Sequence, residues 1–188
     1  PGSRYAYRVG DGDEWSEWFQ FRTASRGEEP FSFLYFGDAQ NDILSLWSRT
    51  VRAGYAEAPG ARFMIHAGDL VNRAHSDHEW GEWFRAGGYI LSMVPSLPVP
   101  GNHEYAGYTS KWGLPVERTL SVFWRPQFSL PRNGPPAITP ESSYFVDYQG
   151  LRVVVLNSSE APGDHVQWLE AVLSQSPARC TAALHHSP

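Results

Sequence analysis

Gly101-Asn102-His103-Glu104 places an amide, an imidazole and a carboxylate side by side, directly after an apolar run and a Pro-Gly turn. An amide oxygen can coordinate a hard or borderline cation, an imidazole can coordinate or carry a proton, and a carboxylate can orient either. By itself the stretch is equally well a turn whose polar residues face water. Three further apolar runs end in similar chemistry. Residues 31–36 lead into Gly37-Asp38-Ala39-Gln40, 61–67 into Gly68-Asp69-Leu70-Val71-Asn72, and 179–184 into His185-His186-Ser187-Pro188. Asp, Asp, Asn-His and His-His form a metal-ligand set more readily than a nucleophile triad, because no serine or cysteine is placed to pair with a base.

Such residues act together only if the fold brings them to one rim. From Phe31 onward the pattern alternates strand, loop and helix, which implies right-handed crossovers and a largely parallel sheet whose loops share an edge. Ligands collect at the carboxyl ends of parallel strands. Asn41 or Asp42 is expected to cap a helix burying Ile43, Leu46, Trp47, Val51 and Tyr55. Ser76-Asp77-His78-Glu79 has the form of a capping box before a helix burying Trp80, Trp83, Phe84 and Ile90. Between Tyr105 and Ser142, a Pro- and aromatic-rich stretch with Tyr108, Trp112, Phe123, Trp124, Arg125 and Phe128 reads as a packed lid or as an insertion on the core. A hairpin comes next, with arms at 143–147 and 151–156. Asn157-Ser158-Ser159 is either turn chemistry or part of the site. A helix from Asp164 carries Trp168, Leu169, Val172 and Leu173.

At the other end, residues 3–9 and 15–21 alternate around Gly10-Asp11-Gly12-Asp13 and read as a β-hairpin. Two strands cannot bury their own aromatic side chains, so the hairpin either ends a β-sandwich or docks on the rest of the chain. Residues 1–24 are thus expected to close one domain, 25–30 to be a linker and 31–188 to begin another. The chain reads as a piece of a longer protein.

The 188 residues carry a formal charge of −5, and the basic residues are scattered, so a nucleic-acid groove is not indicated. No segment approaches the roughly 20 apolar residues that span a bilayer. Cys180, inside an apolar run, reads as a small core residue. His66 reads as a core histidine, His75, His78 and His165 as solvated or capping residues, and Glu104 as a group that orients its neighbours.

Gly37-Asp38, Gly68-Asp69, Gly101-Asn102-His103-Glu104 and His186-Ser187-Pro188, in this order and each after an apolar run, resemble the blocks of the calcineurin-like metallophosphoesterases, within them the purple acid phosphatase branch. The resemblance covers 31–188 and implies a four-layer α/β/β/α sandwich, preceded by the end of a fibronectin type III-like β-sandwich. It implies two divalent cations (Mn, Fe, Zn or Mg), with Asp38 on one, Asp69 bridging both, and Asn102 and His186 on the second. His103 would touch the substrate phosphate or protonate the leaving oxygen. The His-x-Pro spacing favours His186 over His185 as ligand, leaving His185 to contact the ligands or the substrate; the reverse assignment is the alternative.

The implied reaction is hydrolysis of phosphate esters, foremost phosphomonoesters, by in-line attack of a metal-bound hydroxide. A phosphodiesterase of the same fold and a non-catalytic metal-binding module are the alternatives. The branch also implies export from the cytoplasm. Three positions depart from the family pattern. Asn72 stands where the purple enzymes carry a tyrosine, so no phenolate is there to favour iron(III). Gln40 stands where many members carry a histidine. A final Gly-His-x-His block would lie beyond Pro188.

Overall fold

A computed structural model describes residues 1–107, 118–161 and 163–187. Arg4–Tyr7 (β1) and Phe19–Arg22 (β2) pair as the expected antiparallel hairpin, Arg4 opposite Arg22 and Tyr7 opposite Phe19. Tyr5 stacks on Phe21, and Arg8 lies over Trp15 and Trp18 at 4.3 and 4.9 Å. The hairpin docks on the main body, where Tyr7 Oη donates to the Ser92 carbonyl at 2.6 Å.

The body begins with Leu34–Phe36 (β3), a π-helical turn at Ile43–Trp47, and Ser48–Glu57 (α1). Met64–Ala67 (β4), Asp77–Gly87 (α2), Tyr89–Met93 (α3) and Ser96–Val99 (β5) complete a parallel sheet ordered β3-β4-β5. After the short pair Tyr105–Ala106 (β6) and Thr119–Leu120 (β7) comes Trp124–Gln127 (α4). Tyr144–Tyr148 (β8), Leu151–Val155 (β9), Asp164–Ser174 (α5) and Cys180–Leu184 (β10) complete the order. In the second sheet β9 lies between antiparallel β8 and parallel β10.

The alternation of side chains along β4 explains why all four of its residues are buried. Met64 joins Trp47, Val51, Trp80, Trp83 and Ile90 on the helical side. Ile65 and Ala67 join Val99, Tyr144, Val153, Val155 and Leu184 between the two sheets. On the far side of the second sheet, Arg152 is clamped by Asp147 and donates to the Val172 carbonyl of α5 at 2.6 Å. A strand covered on both faces tolerates almost no polar residue, and His66 is the exception on β4. It sits among Phe36, Trp47 and Trp83 with Nε2 3.1 Å from Ser96 Oγ, a core histidine as expected.

Several local expectations are corrected. Asp42 starts the first helix with a left-handed backbone (φ 49°) that does not suit side-chain capping; its carbonyl instead accepts from Ser45 and Leu46. The wider π-helical turn shifts the phase, burying Ile43, Trp47 and Val51 but exposing Leu46. Ser76 accepts from Glu79 N, yet the Glu79 carboxylate turns to Arg73 rather than closing the box. Gly88, at φ 51°, breaks the second helix before Ile90. Cys180 is exposed, because β10 lies at the sheet edge and sinks only at Leu184. His165 is buried, with Nε2 2.8 Å from Ser143 Oγ. Of the stretch expected to form a lid, Trp124 and Phe128 belong to the helical-side core. Tyr108 and Trp112 lie outside the described residues, as does Pro188.

Candidate metal centre

Four loops leave the carboxyl ends of β3, β4, β5 and β10, and they meet. Asp38 N donates to the Gly68 carbonyl at 3.1 Å, joining the first two loops. His103 N donates to Asp69 Oδ1 at 2.9 Å, joining the second to the third. His186 Nδ1 lies 2.7 Å from the Ala67 carbonyl and joins the fourth. Ligand atoms of Asp38, Asp69 and His186 all fall within 4.8 Å of one another.

The chemistry of this cluster is set by which atoms lack hydrogens. A carbonyl only accepts, so His186 Nδ1 donates to Ala67 and Nε2 is turned into the cluster. That Nε2 lies 3.3 Å from Asp69 Oδ2 and 3.1 Å from Asn102 Oδ1, which are acceptors too. A ring nitrogen set against two oxygens calls for a positive centre among them, a proton on Nε2 or a bound cation. Carboxylate, amide oxygen and imidazole suit a divalent cation, and a carbonyl behind the imidazole is how protein-bound metals fix a ring.

The loops are built for this approach. Asp38 and Asp69 occupy the left-handed region at φ 55° and 52°, uncommon outside glycine and a form of strain that clusters at functional sites. Gly68, at φ 84°, leaves room that a Cβ would deny, since it would stand 2.5 Å from His186 Nδ1. At Gly101 a Cβ would collide with Asp69 Oδ1.

Glu104 sits beneath the cluster, fully buried. Its Oε2 accepts from Asp69 N and Gly101 N at 2.9 and 2.7 Å, and its Oε1 from Leu70 N and Val71 N at 2.8 and 3.2 Å. It therefore orients its neighbours and does not face the cation space. Burial pushes its carboxyl up to about 7, with the neighbouring Asp69 charge adding to the rise and the Gly101, Val71 and Leu70 N–H groups opposing it.

His103 Nδ1 is 2.8 Å from the Asn72 carbonyl, which leaves Nε2 to hold or give a proton. Asn72 thus contributes its backbone here, and its side chain shares with Gln40 a cleft of about 330 Å³. Gln40 Oε1 is buried without a hydrogen-bond partner among the described residues, an orphan acceptor two positions after Asp38. His185 does not join the cluster; it is exposed, with Nδ1 3.2 Å from the Ser187 carbonyl. Asn157 is a core residue that donates to Tyr105 Oη and Ser142 Oγ. Ser158 Oγ accepts from Ser187 N at 3.1 Å, steadying the loop that carries His186. Two supports gave no signal in the sequence: the Ala67 carbonyl, and Arg118, whose Nη2 donates to the carbonyls of Asn102 and Tyr105 at 2.6 and 2.7 Å. A backbone acceptor and a lone arginine far along the chain carry no motif.

A family model for calcineurin-like phosphoesterase matches residues 31–188. Acid phosphatase type 7 of Danio rerio is 30% identical over 126 residues, which is 61% of this chain and 27% of that protein. The Homo sapiens protein of the same name is 28% identical over 125 residues, again 61% and 27%. The chain therefore spans about a quarter of the length of the curated relatives it matches. The solved structure of purple acid phosphatase PPD1 from yellow lupin (Lupinus luteus) seeds is similar with a TM-score of 0.67 at 19% identity, covering 94% of this chain and 34% of that one.

Proposed function

Because this chain belongs to the calcineurin-like phosphoesterase family, in its purple acid phosphatase-like branch, we propose that Asp38, Asp69, Asn102 and His186 hold two divalent cations for the hydrolysis of phosphomonoesters. Membership supports metal-dependent phosphoester hydrolysis, and that activity, the ligand assignment, the number of ions and the monoester preference make up the proposal. The observation behind it is that His186 Nε2 lies 3.3 Å from Asp69 Oδ2 and 3.1 Å from Asn102 Oδ1, a nitrogen and two oxygens converging as cation ligands do.

Divalent ions held there would supply a lowered pKa for bound water and charge neutralisation at phosphoryl oxygens. The residues divide the remaining work. Asp69 presents Oδ2 to the cluster while its Oδ1 is held by His103 N, so its carboxylate is held in place and would serve as the ligand shared by the two ions. Asp38, on the loop after β3, would hold the other ion. His186 offers Nε2 with its tautomer set from behind by Ala67. His103, braced through Nδ1, would pass a proton through Nε2 to the departing oxygen. Gln40 stands by as a neutral oxygen ligand. With asparagine at 72 and no phenolate, Mn, Fe(II), Zn or Mg suits the centre better than a ferric pair.

The same reading extends to architecture and location. Helices, two packed sheets and an outer helix are read as a four-layer sandwich, and the opening hairpin as the end of a fibronectin type III-like domain. Among the described residues no helix is long and apolar enough to cross a membrane. Export is inferred from the branch alone.

The test is metal content and turnover of the full-length protein. Two ions per chain, with an aryl phosphate hydrolysed faster than a bis-aryl diester, is the expected result. Preference for the diester would make the protein a phosphodiesterase, and less than one ion per chain with no turnover would make this domain a binding module.

A further inference from the structure

Beside the cluster lies a cleft of about 500 Å³ whose lining includes Arg73, His75, Asn102, His103, Tyr105 and Arg118. Among the described residues no Asp or Glu lines it, although the chain as a whole carries −5. Its two arginines differ. The Arg73 charge is already taken up by Glu79. Arg118 instead donates from Nη2 to the Asn102 and Tyr105 carbonyls, and no carboxylate lies within ion-pair distance of it among the described residues. Carbonyl dipoles orient a guanidinium without cancelling its charge, so it can also attract an incoming anion.

His103 lines the same cleft and is the residue assigned above to the departing oxygen, so the cleft is where the rest of the substrate goes. We propose that it receives the leaving group, and that Arg118 favours leaving groups with a negative charge of their own, a second phosphate or a carboxylate, over neutral ones. This inference rests on the hydrolytic reading of the metal centre.

It is tested on the metal-loaded full-length protein with phenyl phosphate and 3-carboxyphenyl phosphate. The readout is the ratio of their kcat/KM values, which compares each variant with the wild type so that intrinsic reactivity cancels. Removing one charge-assisted contact in Arg118→Gln is expected to lower the ratio about tenfold, and Arg118→Lys, which keeps the charge without the fork, by about threefold. Higher ionic strength is expected to lower the wild-type ratio. An equal fall for both substrates in Arg118→Gln overturns the inference and leaves Arg118 only a brace for Asn102. If Arg118→Gln loses all turnover, the wild-type ratio at raised ionic strength decides: lowered, it supports the inference, and unchanged, it overturns it. Wild-type turnover of neither ester would instead sink the hydrolytic reading, and this one with it.

Discussion

At the scale of single residues, the centre depends on which atoms are denied hydrogens and which loops are held by them. Asp69 faces the cluster with one oxygen and grips the His103 backbone with the other. Asp69→Ala should therefore abolish both activity and bound metal, measured by turnover and elemental analysis on the same sample. Retained activity would remove the bridging assignment. His103→Ala should lower kcat by about 10²–10⁴-fold, the range of general acid catalysis, with metal content nearly intact. Glu104 makes a different prediction, because its carboxylate accepts from four backbone N–H groups. A glutamine there accepts with one oxygen and turns an NH₂ group against two N–H groups. Glu104→Gln should cost about 1–3 kcal/mol of stability by urea unfolding, the range for buried unsatisfied groups, and weaken metal binding by misaligning Asp69.

At the scale of elements, β4 carries both the core and the centre. His66 is held neutral inside it, burial lowering its pKa from 6.5 to about 3. Below about pH 6.5 the unfolded chain takes up a proton that the folded chain refuses, so stability present at neutral pH is lost as pH falls toward 3, at up to about 1.4 kcal/mol per pH unit. Urea midpoints at pH 7.5 and pH 5 should show this loss in the wild type and a smaller one in His66→Gln. Equal losses in the two would mean the ring titrates normally. One turn further along, Gly68→Ala combines a strained φ of 84° with a methyl 2.5 Å from His186 Nδ1. It should weaken metal binding more than it lowers stability, because the loop can yield only by moving His186.

For the whole molecule, the four ligating loops come from strands in two different sheets, and His186 bonded to Ala67 is a direct tie between them at the rim. If the proposed ligands from both sheets hold cations, binding would favour the folded state, where those ligands meet. Chelation should then lower Tm reversibly, since a ligand at 100 times its Kd contributes about 2.7 kcal/mol. A Tm indifferent to chelator and restored metal would place the ions outside the seam between the sheets.

Much of this was legible in the chain. The Gly-Asp, Gly-Asn-His-Glu and His-x-Pro blocks, each after an apolar run, carried the family, because a strand buried on both faces must be apolar and its first polar residues fall at its end. The hairpin, the order of strands and helices, and the orienting part of Glu104 were legible for the same local reasons. Tertiary structure alone decided the rest. The His165 environment, the exposure of Cys180 and Leu46, the Ala67 carbonyl behind His186 and the service of Arg118 depend on distant segments. Sequence spacing fixes which face of an element a residue takes, but only packing fixes what that face meets.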